Sequence, residues 1–143
     1  AKKYSEQVIV ESFIEGKEIT VGIVGDEILP IIEIIPNEGF YDYEHKYTKG
    51  KTEYVCPADI SEDIEEFTQD MAHLAYTVLA CSGFARADFR LDEDGQPFLL
   101  EVNTIPGFTE TSLVPKAAKQ IGWDFNTLCQ KIIDITLEKK EED

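Results

Sequence analysis

Asp94-Gly95, set between two runs that alternate apolar and polar residues, constrains the fold of this chain more than any other feature. A two-residue type I′ turn needs positive φ at both central positions, and Asp-Gly meets that need at little steric cost. Residues 84–91 and 97–103 therefore read as the arms of a β hairpin. With that turn, Asp88 opposes Glu101, Arg86 opposes Asn103, Ala87 opposes Val102, Phe89 opposes Leu100 and Leu91 opposes Phe98. Side chains alternate faces along a strand. One face then carries Ala87, Phe89, Leu91, Phe98, Leu100 and Val102, a continuous apolar surface. The other carries Arg86, Asp88, Arg90, Glu101 and Asn103. The agreement of the apolar pairs supports the register, because a slip of one residue inverts every side chain.

This register sets two carboxylates opposite each other, about 4.5–5.5 Å apart at Cβ. Like charges so placed repel, and a hard divalent cation relieves them. Mg²⁺ takes oxygen ligands, keeps waters and binds through one or two carboxylates plus substrate phosphates. Asn103 adds a neutral oxygen on the same face, and Arg86 and Arg90 flank it, suited to anionic oxygens. A solvated face of Arg–carboxylate pairs is the plainer alternative. The dry opposite face and the following segment, Thr104 to Leu113, favour the metal. In that segment Gly107 lets backbone approach a ligand closely. Thr111 or Ser112 opens a helix whose free N–H groups and dipole attract an anion.

The rest of the chain reads as α+β with antiparallel sheet dominating. Residues 7–14, 18–24 and 27–35 read as a three-stranded meander, with turns at Glu15-Gly16 and Gly25-Asp26. Residues 36–60 lack regular periodicity, and a loop that long inside a domain tends to be functional. Ser61 reads as the N-cap of a helix running to about Cys81, with Ile64, Phe67, Met71, Leu74, Ala75 and Val78 as its buried stripe. Residues 112–121 read as a second helix stopped by Gly122. Asp124 caps a third, with Phe125, Leu128, Cys129 and Ile132 buried.

Composition then excludes several functions. A net charge of −16 repels nucleic acid and anionic lipid. No apolar run approaches the roughly 18–20 residues of a membrane span, and no signal peptide precedes the first strand. Cys56, Cys81 and Cys129 form no CxxC pair, which removes zinc and thioredoxin-like readings and favours reduced thiols in a cytosol.

Three ordered segments resemble a known family: Gly83 to Phe89 (GFARADF), Leu100 to Gly107 (LEVNTIPG) and Thr109 to Pro115 (TETSLVP). They are similar to the D-alanine–D-alanine ligases, which are ATP-grasp enzymes. Upstream, Val10 to Val21 resembles the strand pair lining the adenine pocket. Phe40 to Tyr47 resembles the loop that closes over the site. The resemblance spans nearly the whole chain. It implies that residues 1–143 are the C-terminal subdomain of an ATP-grasp fold, an antiparallel sheet flanked by helices.

The resemblance also implies roles. Glu11 and the backbone at Phe13 and Ile14 would hold adenine, and Glu18 the ribose hydroxyls. Lys46 and Tyr47 would approach the phosphates and the second substrate. Arg86 would stabilise the acyl-phosphate and tetrahedral oxygens. Asp88, Glu101 and Asn103 would hold two Mg²⁺ (or Mn²⁺), with Glu101 bridging. Gly107 would offer a backbone donor, and Ser112 and Leu113 would bind the carboxylate of the second D-alanine. ATP and D-alanine are the implied ligands, in peptidoglycan precursor synthesis in a bacterial cytoplasm. A homodimer is the assembly it allows for the full-length enzyme. The family's N-terminal domain and the first part of its central domain are expected to precede Ala1, and the 143 residues alone are expected to be inactive. Two alternatives stay open: a sibling ligase joining D-alanine to D-lactate or D-serine, and a non-catalytic acidic binding module. The Glu44–Tyr47 and Ser112–Pro115 segments favour the D-alanine type over the siblings.

Overall fold

A computed structural model describes residues 3, 4, 6–36 and 52–142. The backbone builds one antiparallel sheet from β1 (Lys17–Val24), β2 (Glu27–Ile28), β3 (Ile32–Pro36), β4 (Thr52–Val55), β5 (Phe84–Leu91) and β6 (Pro97–Asn103). The strand order is β4-β3-β1-β5-β6, with β2 also paired to β1. Helix α1 (Glu62–Val78) covers one face; α2 (Leu113–Gln120) and α3 (Phe125–Glu142) cover the other.

The central strand β1 is buried on both faces from Ile19 to Val24. Ile19, Val21 and Ile23 point toward α1 and pack with Ala85, Ala87, Phe89, Leu91, Ala72 and Tyr76. Val24 joins Leu29, Ile32, Val114, Ala117, Ala118 and Leu128 on the other side. A Cβ at Gly22 would lie 2.9 Å from the end of the Leu29 side chain and 3.4 Å from Val114, so Leu29 would have to shift to admit one.

Several expectations change. Residues 7–14 form no ladder among the described residues, and Val8, Ile9, Val10 and Phe13 are exposed. Alternation there has no paired neighbour among the described residues. The run 27–35 is broken into β2 and β3 around Pro30, which has no N–H to give a ladder. Within 36–60, residues 52–55 are the edge strand β4, registered as Ile34 against Tyr54. The rest of that stretch to residue 51, including Lys46 and Tyr47, lies outside the described residues.

Helix α1 buries a different stripe. Thr68, Ala72 and Tyr76 face the sheet, with Ile64 and Met71 half-buried, while Phe67, Leu74 and Val78 are exposed. The buried row runs at four-residue spacing, with Ala72 and Tyr76 in the core cluster. Thr68 satisfies its buried hydroxyl by donating to the Ile64 carbonyl at 2.7 Å. The helix ends at Val78, before Ser82-Gly83, with Ala80 in the left-handed region at φ 51°.

The cysteines are half-buried free thiols. Burial, and then the charge of Glu65, push the Cys56 thiol above its ordinary value. At mildly alkaline pH it is expected to alkylate with iodoacetamide more slowly than free cysteine, because less thiolate is present. Mass-resolved alkylation kinetics check this; a faster rate would contradict it.

Candidate metal centre

The hairpin reaches its expected pairing by an unexpected path. Asp92 N–H donates to the Gln96 carbonyl and Gly95 N–H to the Asp92 carbonyl, each at 3.1 Å. The loop is therefore three residues, Glu93-Asp94-Gly95, with Gly95 at φ 82°. This is the type I turn plus left-handed glycine, not the two-residue type I′ turn. It pairs Leu91 with Pro97, Arg90 with Phe98 and Phe89 with Leu99. A β-bulge between Asp88 and Phe89 then absorbs one residue of β6. Beyond it the pairs are Asp88–Glu101, Ala87–Val102 and Arg86–Asn103, as the sequence predicts. The pairs Phe89–Leu100 and Leu91–Phe98 do not form. The apolar face is also less complete on β6 than predicted: Phe98, paired with Arg90, shares the polar face, and Phe98, Leu99 and Leu100 are exposed, while Pro97 is buried and Val102 packs against the core.

Ladder partners share a face, so β1 and β5 bring Glu18 to Arg90, Thr20 to Asp88 and Gly22 to Arg86. Asp88 is the hub. Arg86 donates to it in a bidentate fork, Nε to Oδ1 at 2.8 Å and Nη2 to Oδ2 at 2.7 Å. The two side chains are 21% and 16% exposed, so solvent screens this pair only in part. The hydrogen bond to Asp88 raises the Arg86 pKa, burial opposes it, and the charges of Asp88, Glu101 and Glu18 add to the rise. Arg86 thus supplies the counter-charge that the opposed carboxylates call for, and repulsion alone does not demand a metal.

Convergence is the stronger observation. Asn103 Nδ2 lies 2.9 Å from Asp88 Oδ2 and 3.0 Å from Glu101 Oε1, so two carboxylate oxygens meet at one electropositive group. Arg86 neutralises one of the two carboxylates and leaves one net negative charge. Turning the Asn103 amide end for end would offer Oδ1 to the same point. Among the described residues no group of three or more His, Cys, Asp or Glu assembles around a common point. A cation here would complete its shell with water or phosphate oxygen, as Mg²⁺ does. The donor set fits a hard divalent ion.

Thr20 is a site residue that the sequence did not reveal. It is 1% exposed and its hydroxyl donates to Asp88 Oδ1 at 2.6 Å. Only the long-range pairing of β1 with β5 brings it there.

Arg90 is not free for anions. Its Nε donates to the Ile14 carbonyl at 3.0 Å and its Nη2 to the Gly16 carbonyl at 2.8 Å. The guanidinium lies 5.5 Å from the Phe13 ring centroid. It holds residues 13–16 against β5. Gly16 is required for that approach: its φ is 131°, and a Cβ would sit 2.0 Å from the Leu91 carbonyl oxygen. Arg90→Met is expected to leave the core folded and to release residues 13–16 from β5, lowering their backbone order parameters below about 0.6. Nitrogen-15 relaxation by NMR checks this, and unchanged order parameters would contradict it.

Glu11 is exposed on the unladdered segment, and Glu18 is half-buried beside Arg90. The loop after β6 is pinned by Phe108, whose ring centroid is 5.0 Å from Phe84 and 5.2 Å from Phe125. Gly107 faces open space, since its Cβ would meet only Ser112 Oγ at 3.7 Å. Ser112 is the N-cap of α2 but makes no side-chain cap bond. The third helical residue is Pro115, which has no N–H for such a bond. The Ser112 hydroxyl turns back to accept the Thr109 N–H at 2.9 Å. The first turn of α2, with Leu113 at its start, is left without that cap.

Residues 1–134 match the family model described as D-ala D-ala ligase C-terminus. The chain belongs to this family. A D-alanine--D-alanine ligase of Methylacidiphilum infernorum is 51% identical over 134 residues, which is 94% of this chain and 44% of that protein. This D-ala D-ala ligase C-terminus chain thus spans under half the length of that curated relative. A crystal structure of D-alanine--D-alanine ligase from Bacillus anthracis complexed with ATP superposes with TM-score 0.79 at 36% identity, covering 92% of this chain and 43% of that one. The VanG D-Ala:D-Ser ligase of Enterococcus faecalis follows at TM-score 0.71 and 37% identity, covering 86% of this chain and 37% of that one. The fold class read from the sequence, an antiparallel sheet with flanking helices of the ATP-grasp type, stands. No helix among the described residues is long and apolar enough to cross a membrane.

Proposed function

We propose that this chain is the C-terminal part, residues 1–143, of an ATP-grasp domain in an enzyme that joins two D-alanines at the expense of ATP. The observation that carries this is the meeting of Asp88 and Glu101 oxygens at one point beside the Arg86 guanidinium, in a chain of this family. Asp88, Glu101 and Asn103 would hold two Mg²⁺ or Mn²⁺ ions. When bound, these ions neutralise charge on the ATP phosphates.

The remaining work belongs to protein groups. One D-alanine carboxylate attacks the γ-phosphate to give an acyl phosphate and ADP. The amine of a second D-alanine then attacks that acyl carbon, the amide forms and phosphate leaves. Arg86, held in place by its fork on Asp88, stabilises the oxygens that gain charge in both steps. Gly107 offers its N–H beside the reacting carbon. Ser112 and Leu113, at the uncapped start of α2, bind the second substrate's carboxylate. Glu18 takes the ribose hydroxyls, and Glu11 with the Phe13–Ile14 backbone takes adenine. Lys46 and Tyr47 belong to the same reading.

The D-alanine type is favoured over D-serine because curated relatives at 51% and 47% identity are D-alanine--D-alanine ligases. Identity to the solved structures, 36% for the Bacillus anthracis enzyme and 37% for the D-Ala:D-Ser enzyme, does not separate the two. Peptidoglycan precursor synthesis in a bacterial cytoplasm is the setting that goes with it. The test is release of phosphate from ATP by the full-length protein, with D-alanine, D-serine and D-lactate as second substrates. Release that depends on D-alanine and yields D-alanyl-D-alanine is expected; turnover faster with D-serine or D-lactate would overturn the substrate assignment.

A further inference from the structure

We propose that Thr20 is a positioning residue of the metal centre, fixing the plane in which Asp88 presents its outer oxygen to the cation. The inference rests on the metal reading of Asp88 and Glu101.

Thr20 stands opposite Asp88 across β1 and β5 and is fully enclosed, 1% exposed. Its Oγ1 is 2.6 Å from Asp88 Oδ1, the length of a charge-assisted O–H···O⁻ bond, with the Ala87 carbonyl 3.1 Å away as a second acceptor. The four donors on Asp88 divide by side. Oδ1, on the β1 side, takes Thr20 Oγ1 and Arg86 Nε; Oδ2, on the β6 side, takes Arg86 Nη2 and Asn103 Nδ2. Among the described residues, Oδ2 is the Asp88 oxygen that shares a partner with Glu101, through Asn103.

A cation in the place of the Asn103 Nδ2 group, with the amide turned end for end, would remove one donor from Oδ2. Among the described residues, Asp88 would then be held by Arg86 and Thr20. Arg86 is two residues away on the same strand and moves with it, whereas Thr20 reaches in from the neighbouring strand and sets the tilt. A hydroxyl buried this deeply costs free energy unless it is bonded. A valine of the same shape would fill the space without that cost, so packing alone gives no reason for threonine here. Partners of this kind around a metal ligand typically change affinity by about 10–100-fold.

The test is Mn²⁺ affinity of the 143-residue chain by isothermal titration, with thermal unfolding as a control. Thr20→Val is expected to weaken Mn²⁺ binding by at least about tenfold while keeping cooperative unfolding. Thr20→Ser, which keeps the hydroxyl, is expected to stay within about threefold of the parent. Should Thr20→Val fail to fold, Thr20→Ala gives the same readout. Wild-type affinity in folded Thr20→Val or Thr20→Ala, with binding lost in Asp88→Asn, would overturn the role of Thr20 alone. Absence of a saturable site in the parent, or unchanged binding in Asp88→Asn, would overturn the metal reading and this inference with it.

Discussion

Asp88→Asn in the full-length protein is expected to lower D-alanine-dependent ATP turnover by at least about 10²–10³-fold, the scale at which losing one preorganised electrostatic group slows an enzyme. The change keeps the shape and removes the charge. One oxygen that meets Glu101 becomes neutral or turns into a donor, and the Arg86 fork loses its anionic partner. The same change is expected to cost about 1.5–3 kcal/mol of stability, the range for hydrogen bonds to a charged group. Denaturant unfolding separates the two effects. A variant that is well folded and fully active would remove Asp88 from the site.

Phe89→Ala is expected to be the most damaging single change to stability, costing about 3–5 kcal/mol. Phe89 is fully buried and packs in the cluster that joins β1, β5 and α1. It also stands directly beside the bulge that sets Asp88 against Glu101. A cavity there loosens the strand junction on which the pairing depends. Urea titration measures the loss. A cost under about 1 kcal/mol would mean that the neighbouring residues collapse into the gap and that the bulge is held from elsewhere.

How far the sequence could be read depended on whether a feature was local. The hairpin arms, the α2 boundaries, the start of α3 and the Asp88–Glu101 pairing were all legible from alternation, turn residues and caps. The pairing was reached through two compensating differences. The turn is one residue longer than Asp94-Gly95 suggests, and the bulge at Leu100 takes that residue back. A bulge leaves little mark in a run such as Phe98-Leu99-Leu100, where three apolar residues in succession already blur the alternation.

What escaped was decided by distant neighbours. Thr20 looks like any β-branched strand residue until β1 is laid against β5. Arg90 looks like an anion ligand until residues 13–16 offer their carbonyls. On α1, Phe67, Leu74 and Val78 have helical spacing and hydrophobicity, but the row that meets the sheet is Thr68, Ala72 and Tyr76, with Ala72 and Tyr76 in the core cluster. Ligand identity and chemistry enter only through the family motifs and belong to the proposed function, because neither periodicity nor spacing could supply them.

The most direct test of the account is Mn²⁺ titration of the chain, followed by paramagnetic broadening of the side-chain carboxyl and amide signals. The chain carries 29 Asp and Glu residues, so a diffuse attraction for cations is the competing outcome. The account predicts that Asp88, Glu101 and Asn103 broaden first and together, at low Mn²⁺ occupancy, and that Glu101→Gln abolishes the selectivity. Broadening spread evenly over the acidic surface, with no preference for those three residues, would contradict it.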